Sequence, residues 1–197
     1  MIEVEHEIFT KEAMTRPLFQ EPSEDIMRED PWTGPKGFMF GGMSQASTAS
    51  LAEEYFEAAN LIIDAIKRNE VEDYKLANAA LFLYRHSFEL ILKAALDKPK
   101  QTHDLGSLAD SFAHMIKERY HEDVPAWIMR RLKELAAIDP GSLAFRYGDY
   151  VDPLDKQNSR LKGEGYIDLH HLQAAMKALN TALVGAVGEI SMTGRWR

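Results

Sequence analysis

Arg85, His86, Glu89 and Lys93 stand close together in the run Tyr84-Arg-His-Ser-Phe-Glu-Leu-Ile-Leu-Lys93, whose other members are mostly apolar. An imidazole can move a proton near neutral pH, a guanidinium or ammonium can hold an anion, and a carboxylate can pair with either cation. Arg85 and Glu89 are four residues apart, as are Glu89 and Lys93, so on a helix Glu89 can meet both cations. The spacing admits two readings. One is a solvated face laced with ion pairs, each worth a few tenths of a kcal/mol. The other is a polar groove in which His86 transfers a proton while Arg85 or Lys93 binds an anion.

The element that must carry these groups is a long helix over about Glu72–Asp97. Wound at roughly 100° per residue, it turns Ala77, Ala80, Leu81, Tyr84, Phe88, Ile91, Leu92 and Ala95 inward. That apolar arc covers more than half the circumference, which predicts a helix central to its bundle. The four polar groups share the narrow remaining arc, with Phe82 beside them.

The same 3.6-residue period predicts four further helices. The first opens around Ser47–Leu51, where Ser50-Leu-Ala-Glu53 has capping-box spacing, and runs to about Asn69 with Leu51, Tyr55, Ala58, Ala59, Ile62 and Ile66 on one face. Another follows Asp104 as cap and uses Leu105, Leu108, Phe112, Met115 and Ile116. The next begins at Asp123 with Pro125 in its first turn and carries Val124, Trp127, Ile128, Leu132, Leu135 and Ile138. The last, from Asp168 to about Ser191, sets Leu169, Leu172, Met176, Leu179, Leu183, Ala186 and Ile190 in one seam, with Ala174, Ala178 and Ala182 as a second, small-residue stripe. Residues 139–166 break the pattern with Asp139-Pro-Gly-Ser, Phe145-Arg-Tyr-Gly-Asp-Tyr150, Asp152-Pro and Gly163-Glu-Gly165, a loop of a length that tends to be functional or disordered, whose aromatic content argues for packing. The expectation is an all-α, up-down bundle of about five helices over 44–197.

Residues 1–43 form an irregular N-terminal arm in this reading. They hold four of the eight prolines and the stretch Gly34-Pro-Lys-Gly-Phe-Met-Phe-Gly-Gly42, too much punctuation for a helix. Those glycines follow neither phosphate-loop pattern and lack a strand–loop–helix context. The arm is expected to pack Phe38, Met39 and Phe40 on the body or on a neighbouring subunit.

Composition narrows the function classes. The 197 residues contain no cysteine, which excludes disulfides, thiolate catalysis and thiolate metal sites. A net charge of −8 and the lack of a dense Lys/Arg cluster argue against coating duplex nucleic acid, where neutralising phosphate supplies most of the affinity. No apolar run approaches the ~20 residues of a membrane span, and the acidic start lacks the order of a secretory signal. The cytoplasm is the expected compartment.

Tyr84-Arg-His-Ser-Phe-Glu-Leu-Ile-Leu-Lys-Ala-Ala-Leu96, then Thr102-His-Asp-Leu-Gly-Ser-Leu108, then Phe145-Arg-Tyr147, resembles a branch of the HEPN superfamily, over about residues 45–190. That resemblance implies a small helical bundle, commonly a homodimer. It implies one of three tasks: metal-independent RNA cleavage, nucleotide or nucleic-acid binding, or a partner-protein role in defence or toxin–antitoxin systems. It also adds His103, Arg146 and Tyr147 as groups that would meet Arg85, His86, Glu89 and Lys93.

One departure bears on the chemistry. Nuclease members carry an arginine, four to six residues, then a histidine. None of the seven histidines, at 6, 86, 103, 114, 121, 170 and 171, has an arginine five to seven positions upstream. Arg85 and His86 are adjacent, which sets their side chains roughly 100° apart on a helix. The leading expectation is therefore a HEPN-like binding or interaction module without hydrolytic chemistry or cofactor. The alternatives are a ribonuclease in which His86 works with Arg146 across space, and a structural bundle with no ligand. A di-metal carboxylate site needs paired Glu-x-x-His motifs in mid-bundle, whereas Glu118-x-x-His121 and Glu3-x-x-His6 fall at a helix end and in the arm. His170-His171 are adjacent at a helix start and read as surface or capping residues.

Overall fold

A computed structural model describes residues 15, 19, 23–24, 28, 37–38, 46–96, 99, 101–139, 141–147 and 166–194. Among them are six helices and no strand: α1 (Thr48–Lys67), α2 (Asp73–Ala95), α3 (Leu105–Tyr120), α4 (Ala126–Ile138), the single turn α5 (Ala144–Tyr147) and α6 (Leu169–Gly194). The protein is an all-helical bundle. The chain divides into two units, 1–45 and 46–197, and all six helices belong to the second. In the first unit Arg28 and Glu24 form an exposed ion pair. Of the arm's expected anchors, Phe38 is exposed, and Met39 and Phe40 lie outside the described residues.

The helix ends follow from local chemistry. Ser47 caps α1 by accepting the Ser50 amide on its hydroxyl at 3.0 Å, so the cap sits a turn before the Ser50–Glu53 box. At the other end Asn69 takes a left-handed φ of 57°, and the amides of Asn69 and Glu70 return to the carbonyls of Ile66 and Ala65. This double return is a Schellman closure, with asparagine in the place glycine usually takes. Asp104 caps α3 as its position suggests, accepting from the Gly106 and Ser107 amides at 3.0 and 3.3 Å. Pro125 stands just ahead of α4, and Asp168 caps α6 through the His171 amide at 2.8 Å.

Helix α2 is the central rod its wide apolar arc predicts. It packs against α1, α3, α5 and α6, and Ala80, Leu81, Tyr84, Phe88, Ile91, Leu92 and Ala95 are buried in the core. Helix α1 faces it with Ala52, Phe56, Ala59, Ile63 and Ile66, one position on from much of the expected face; Leu51, Tyr55, Ala58 and Ile62 are half-buried at its edge. Helix α6 contributes Met176, Leu179, Leu183 and Ile190, as its seam predicts. Ala174 and Ala178 of its small-residue stripe are exposed, and no helix among the described residues lies on them.

Candidate functional site

Each candidate group on α2 has a definite environment, and the four do not share one. Arg85 is completely buried, at 0% exposure. Its Nη1 donates to Glu89 Oε2 at 3.1 Å and its Nε to the carbonyl of Asp139 at 3.0 Å, while Nη2 donates to the carbonyl of His103. One guanidinium thus ties α2 to the segment before α3 and to the end of α4. A cation on the last carbonyl of α4 also complements that helix's dipole.

Glu89, equally buried, accepts on its other oxygen from Lys93 Nζ at 2.9 Å and from His103 Nδ1 at 2.8 Å. Burial acts to raise its pKa, but the hydrogen bonds from Lys93 and His103 outweigh it and hold the carboxyl below its ordinary value. Asp139 completes the cluster. Its Oδ2 lies 3.2 Å from Arg85 Nε, and its Oδ1 accepts the Leu143 and Ala144 amides at 2.6 and 2.9 Å. Oδ2 is buried without a hydrogen bond of its own, because the Arg85 N–H is spent on the carbonyl of the same residue. Two buried carboxylates therefore face Arg85 and Lys93, which balances the interior charge. This is not the solvated face that the i,i+4 spacing permits. Lys93 and the 60%-exposed side chain of His103 lie at the edge where the cluster reaches water.

His86 points elsewhere, as adjacency to Arg85 requires. Its ring stacks on Phe82, 5.6 Å between centroids and 7° between planes, and meets Tyr55 edge-on at 4.7 Å. Half-buried there, it has a pKa below the ordinary imidazole value; burial is the main cause, the charges of Lys93, Arg85 and His103 add to it, and Glu89 opposes. The guanidinium of Arg146, on α5, lies 5.9 Å from the centre of the Phe82 ring, and its Nε donates to the Ser142 carbonyl. Phe82 thus carries both His86 and Arg146. Tyr147 ends α5, and its side chain lies outside the described residues.

Six of the seven predicted residues accordingly sort into two neighbouring groups. Arg85, Glu89, Lys93 and His103 form a mostly buried ionic cluster, and His86 and Arg146 meet at Phe82. Asp139 was missed because its partner is 54 residues away and Asp-Pro-Gly-Ser looks like an ordinary turn. In a second buried polar set, Tyr84 is expected inward from its helix phase, whereas Asn60 and Gln173 each sit singly between apolar neighbours and carry no sequence signal. Among the described residues no group of acidic or histidine side chains has the arrangement of a metal site, and no helix is long and apolar enough to cross a membrane.

The chain matches no family model, no curated protein and no solved structure. Its function must be argued from the arrangement just described.

Proposed function

We propose that this chain is a HEPN-like binding module, working in the cytoplasm as a homodimer, that holds a nucleotide or RNA beside α2 without hydrolysing it. The observation that carries this reading is the burial of Arg85. A guanidinium at 0% exposure, with bonds to a carboxylate and two carbonyls, cannot meet a phosphate without breaking its own cluster. The resemblance supplies the ligand class. Groups suited to such a ligand remain at the edge: Lys93 and His103 toward phosphate, and the Phe82–His86 stack with Arg146 toward a base and its charge.

A second reading has a specific observation in its favour. His86 and Arg146 both lie against Phe82, and an imidazole and a guanidinium on one ring are the components of a metal-independent ribonuclease pair. One experiment separates the readings. Mixed RNA is incubated at neutral pH in chelator with the wild type, His86→Ala and Arg146→Ala, and ATP and a short RNA are titrated against the same proteins. The module predicts intact RNA and saturable binding that both variants weaken. Cleavage abolished in both variants would install the ribonuclease instead. Neither binding nor cleavage would leave a bundle without a ligand.

A further inference from the structure

His103 differs from the other described histidines in what holds it. Its Nδ1 lies 2.8 Å from Oε1 of Glu89, whose side chain is 1% exposed, while the His103 side chain is 60% exposed. That carboxylate also takes hydrogen bonds from Arg85 and Lys93, cations that keep it ionised and so able only to accept. Nδ1 must therefore carry the ring proton, and in the neutral imidazole the lone pair is on Nε2. Nε2 has no partner among the described residues. The main chain is pinned as well: the His103 carbonyl accepts from Arg85 Nη2, and the next residue, Asp104, caps α3. Tautomer and ring position are thus both set from behind. His86, by contrast, lies among aromatic rings, and His171 has Arg131 at 3.4 Å from its Nε2. His114, His121 and His170 are exposed, with no carboxylate bonded to their rings among the described residues.

A buried carboxylate behind an imidazole makes the outer nitrogen a nucleophile. As Nε2 bonds to an electrophile, positive charge develops on the ring. Glu89, ionised and shielded from water, stabilises that charge from a position it already holds. The class of electrophile follows from Lys93. Its ammonium bonds the same Glu89 oxygen as the ring does, so it stands beside His103, and its side chain is 18% exposed. Among the described residues one of its three N–H donors is engaged, which leaves two for an incoming anion. A nucleophile flanked by an ammonium with donors to spare suits a phosphoryl group better than a neutral acyl group.

We propose that His103 Nε2 is a phosphoryl-acceptor site, modified by a small acyl phosphate, with Glu89 behind the ring and Lys93 on the phosphoryl oxygens. The lone pair of Nε2 attacks phosphorus in line with the leaving group. The Nε2–P bond forms as the P–O bond to the acyl group breaks, and the carboxylate departs with the bonding pair. The Nδ1 proton stays in place, and the ring becomes an imidazolium held against Glu89. Nothing is oxidised or reduced. The donor must be an acyl phosphate because a phosphorus–nitrogen bond is itself labile and forms only at the expense of another labile bond. The inference rests on the reading that this edge of α2 takes phosphate, and it adds a covalent step that needs no nucleobase.

The full chain is incubated with acetyl phosphate and followed by mass spectrometry of its peptides and by phosphorus NMR. The expected product is one acid-labile phosphoryl group on His103 Nε2, formed about tenfold faster than on the exposed His114 and His121. Lys93→Gln is expected to slow it about tenfold, the worth of one charge-assisted hydrogen bond made in the transition state. Glu89→Gln is expected to divide the label between the two ring nitrogens. Glu89 also bonds Arg85, so should that variant fail to fold, Lys93→Gln at the water-facing edge decides in its place. Labelling of His103 no faster than of His114, labelling at Nδ1, an acetyl group on Lys93 in place of a phosphoryl group on His103, or a wild-type rate in Lys93→Gln each overturns the proposal. ATP titrated against the same chain keeps the two readings apart. Labelling without ATP binding upholds the phosphoryl site and strikes the nucleotide reading, and ATP binding without labelling does the reverse.

Discussion

Arg85 illustrates how far one side chain can change meaning between a sequence and its fold. Four residues from Glu89 on a helix, it invites the reading of a surface pair worth tenths of a kcal/mol; buried, it neutralises Glu89 and Asp139 at once. Arg85→Met would leave two carboxylates in the interior, and is expected to cost about 3–5 kcal/mol, seen as a lower urea midpoint at unchanged m-value. Arg85→Lys should restore only part of this, because an ammonium lacks the planar fork that reaches three segments. A cost under about 1 kcal/mol for the methionine variant would return the pair to the class of solvated bridges. The pH dependence has a defined sign. His86 and Glu89 both have folded pKa values below their ordinary 6.5 and 4.5, so the unfolded chain binds more protons and stability rises with pH. The His86 contribution is complete above 6.5 and is lost as the pH falls through its lower folded value; that of Glu89 is lost further into acid. Urea midpoints measured from neutral pH downward should therefore fall in two stages, and His86→Phe should remove the first while sparing the second.

At the scale of elements, the helices were legible because burial imposes a 3.6-residue period on the residues that face the core, and Asp104 marked its own helix start. The rotation of α1 was less so. Leu51, Tyr55, Ala58 and Ile62 are as apolar as the Ala52, Phe56, Ala59 and Ile63 that reach the interior, so period alone leaves the phase open by one residue. The turn α5 falls in what the sequence presents as a loop, since one turn is too short to show a period and its cap is supplied from Asp139. Asp139 therefore has two structural tasks, receiving Arg85 and capping α5. Asp139→Ala is expected to speed hydrogen exchange at the Leu143 and Ala144 amides, which lose their acceptor, and to cost about 1 kcal/mol for the cap alone with the stranding of Arg85 added to it. Because α5 carries Arg146 to Phe82, the same variant should weaken any ligand that needs Arg146, while the backbone of α2 keeps its protection. Loss of protection spread evenly over α2 would instead show that Asp139 supports the whole bundle rather than one turn.

For the molecule as a whole, what the sequence could not reveal is what joins distant segments: Arg85 to Asp139, Tyr84 to Asn60, Gln173 to Asp64. Polar contacts of this kind have no period, and their partners are set by how the rods pack, so they become visible only when the packing is known. They also define what must stay together. The described core runs from Ala52 to Ile190, and the described bonds of both polar networks lie within it. Unfolding free energy arises chiefly from such buried apolar area and from polar groups satisfied inside it. A chain of residues 46–197 alone should therefore unfold in one cooperative transition, with a stability within about 0.5 kcal/mol of the full chain, the scatter usual for changes away from a core. Its m-value should stay close to that of the full chain, since m follows the area exposed on unfolding and the described core is unchanged. Far-ultraviolet circular dichroism and urea titration of the two proteins side by side provide the check. A shortened chain that melts early or gradually would mean that residues 1–45 supply part of the core, and the Arg85 and Asn60 networks would then have to be read as parts of a larger packed unit.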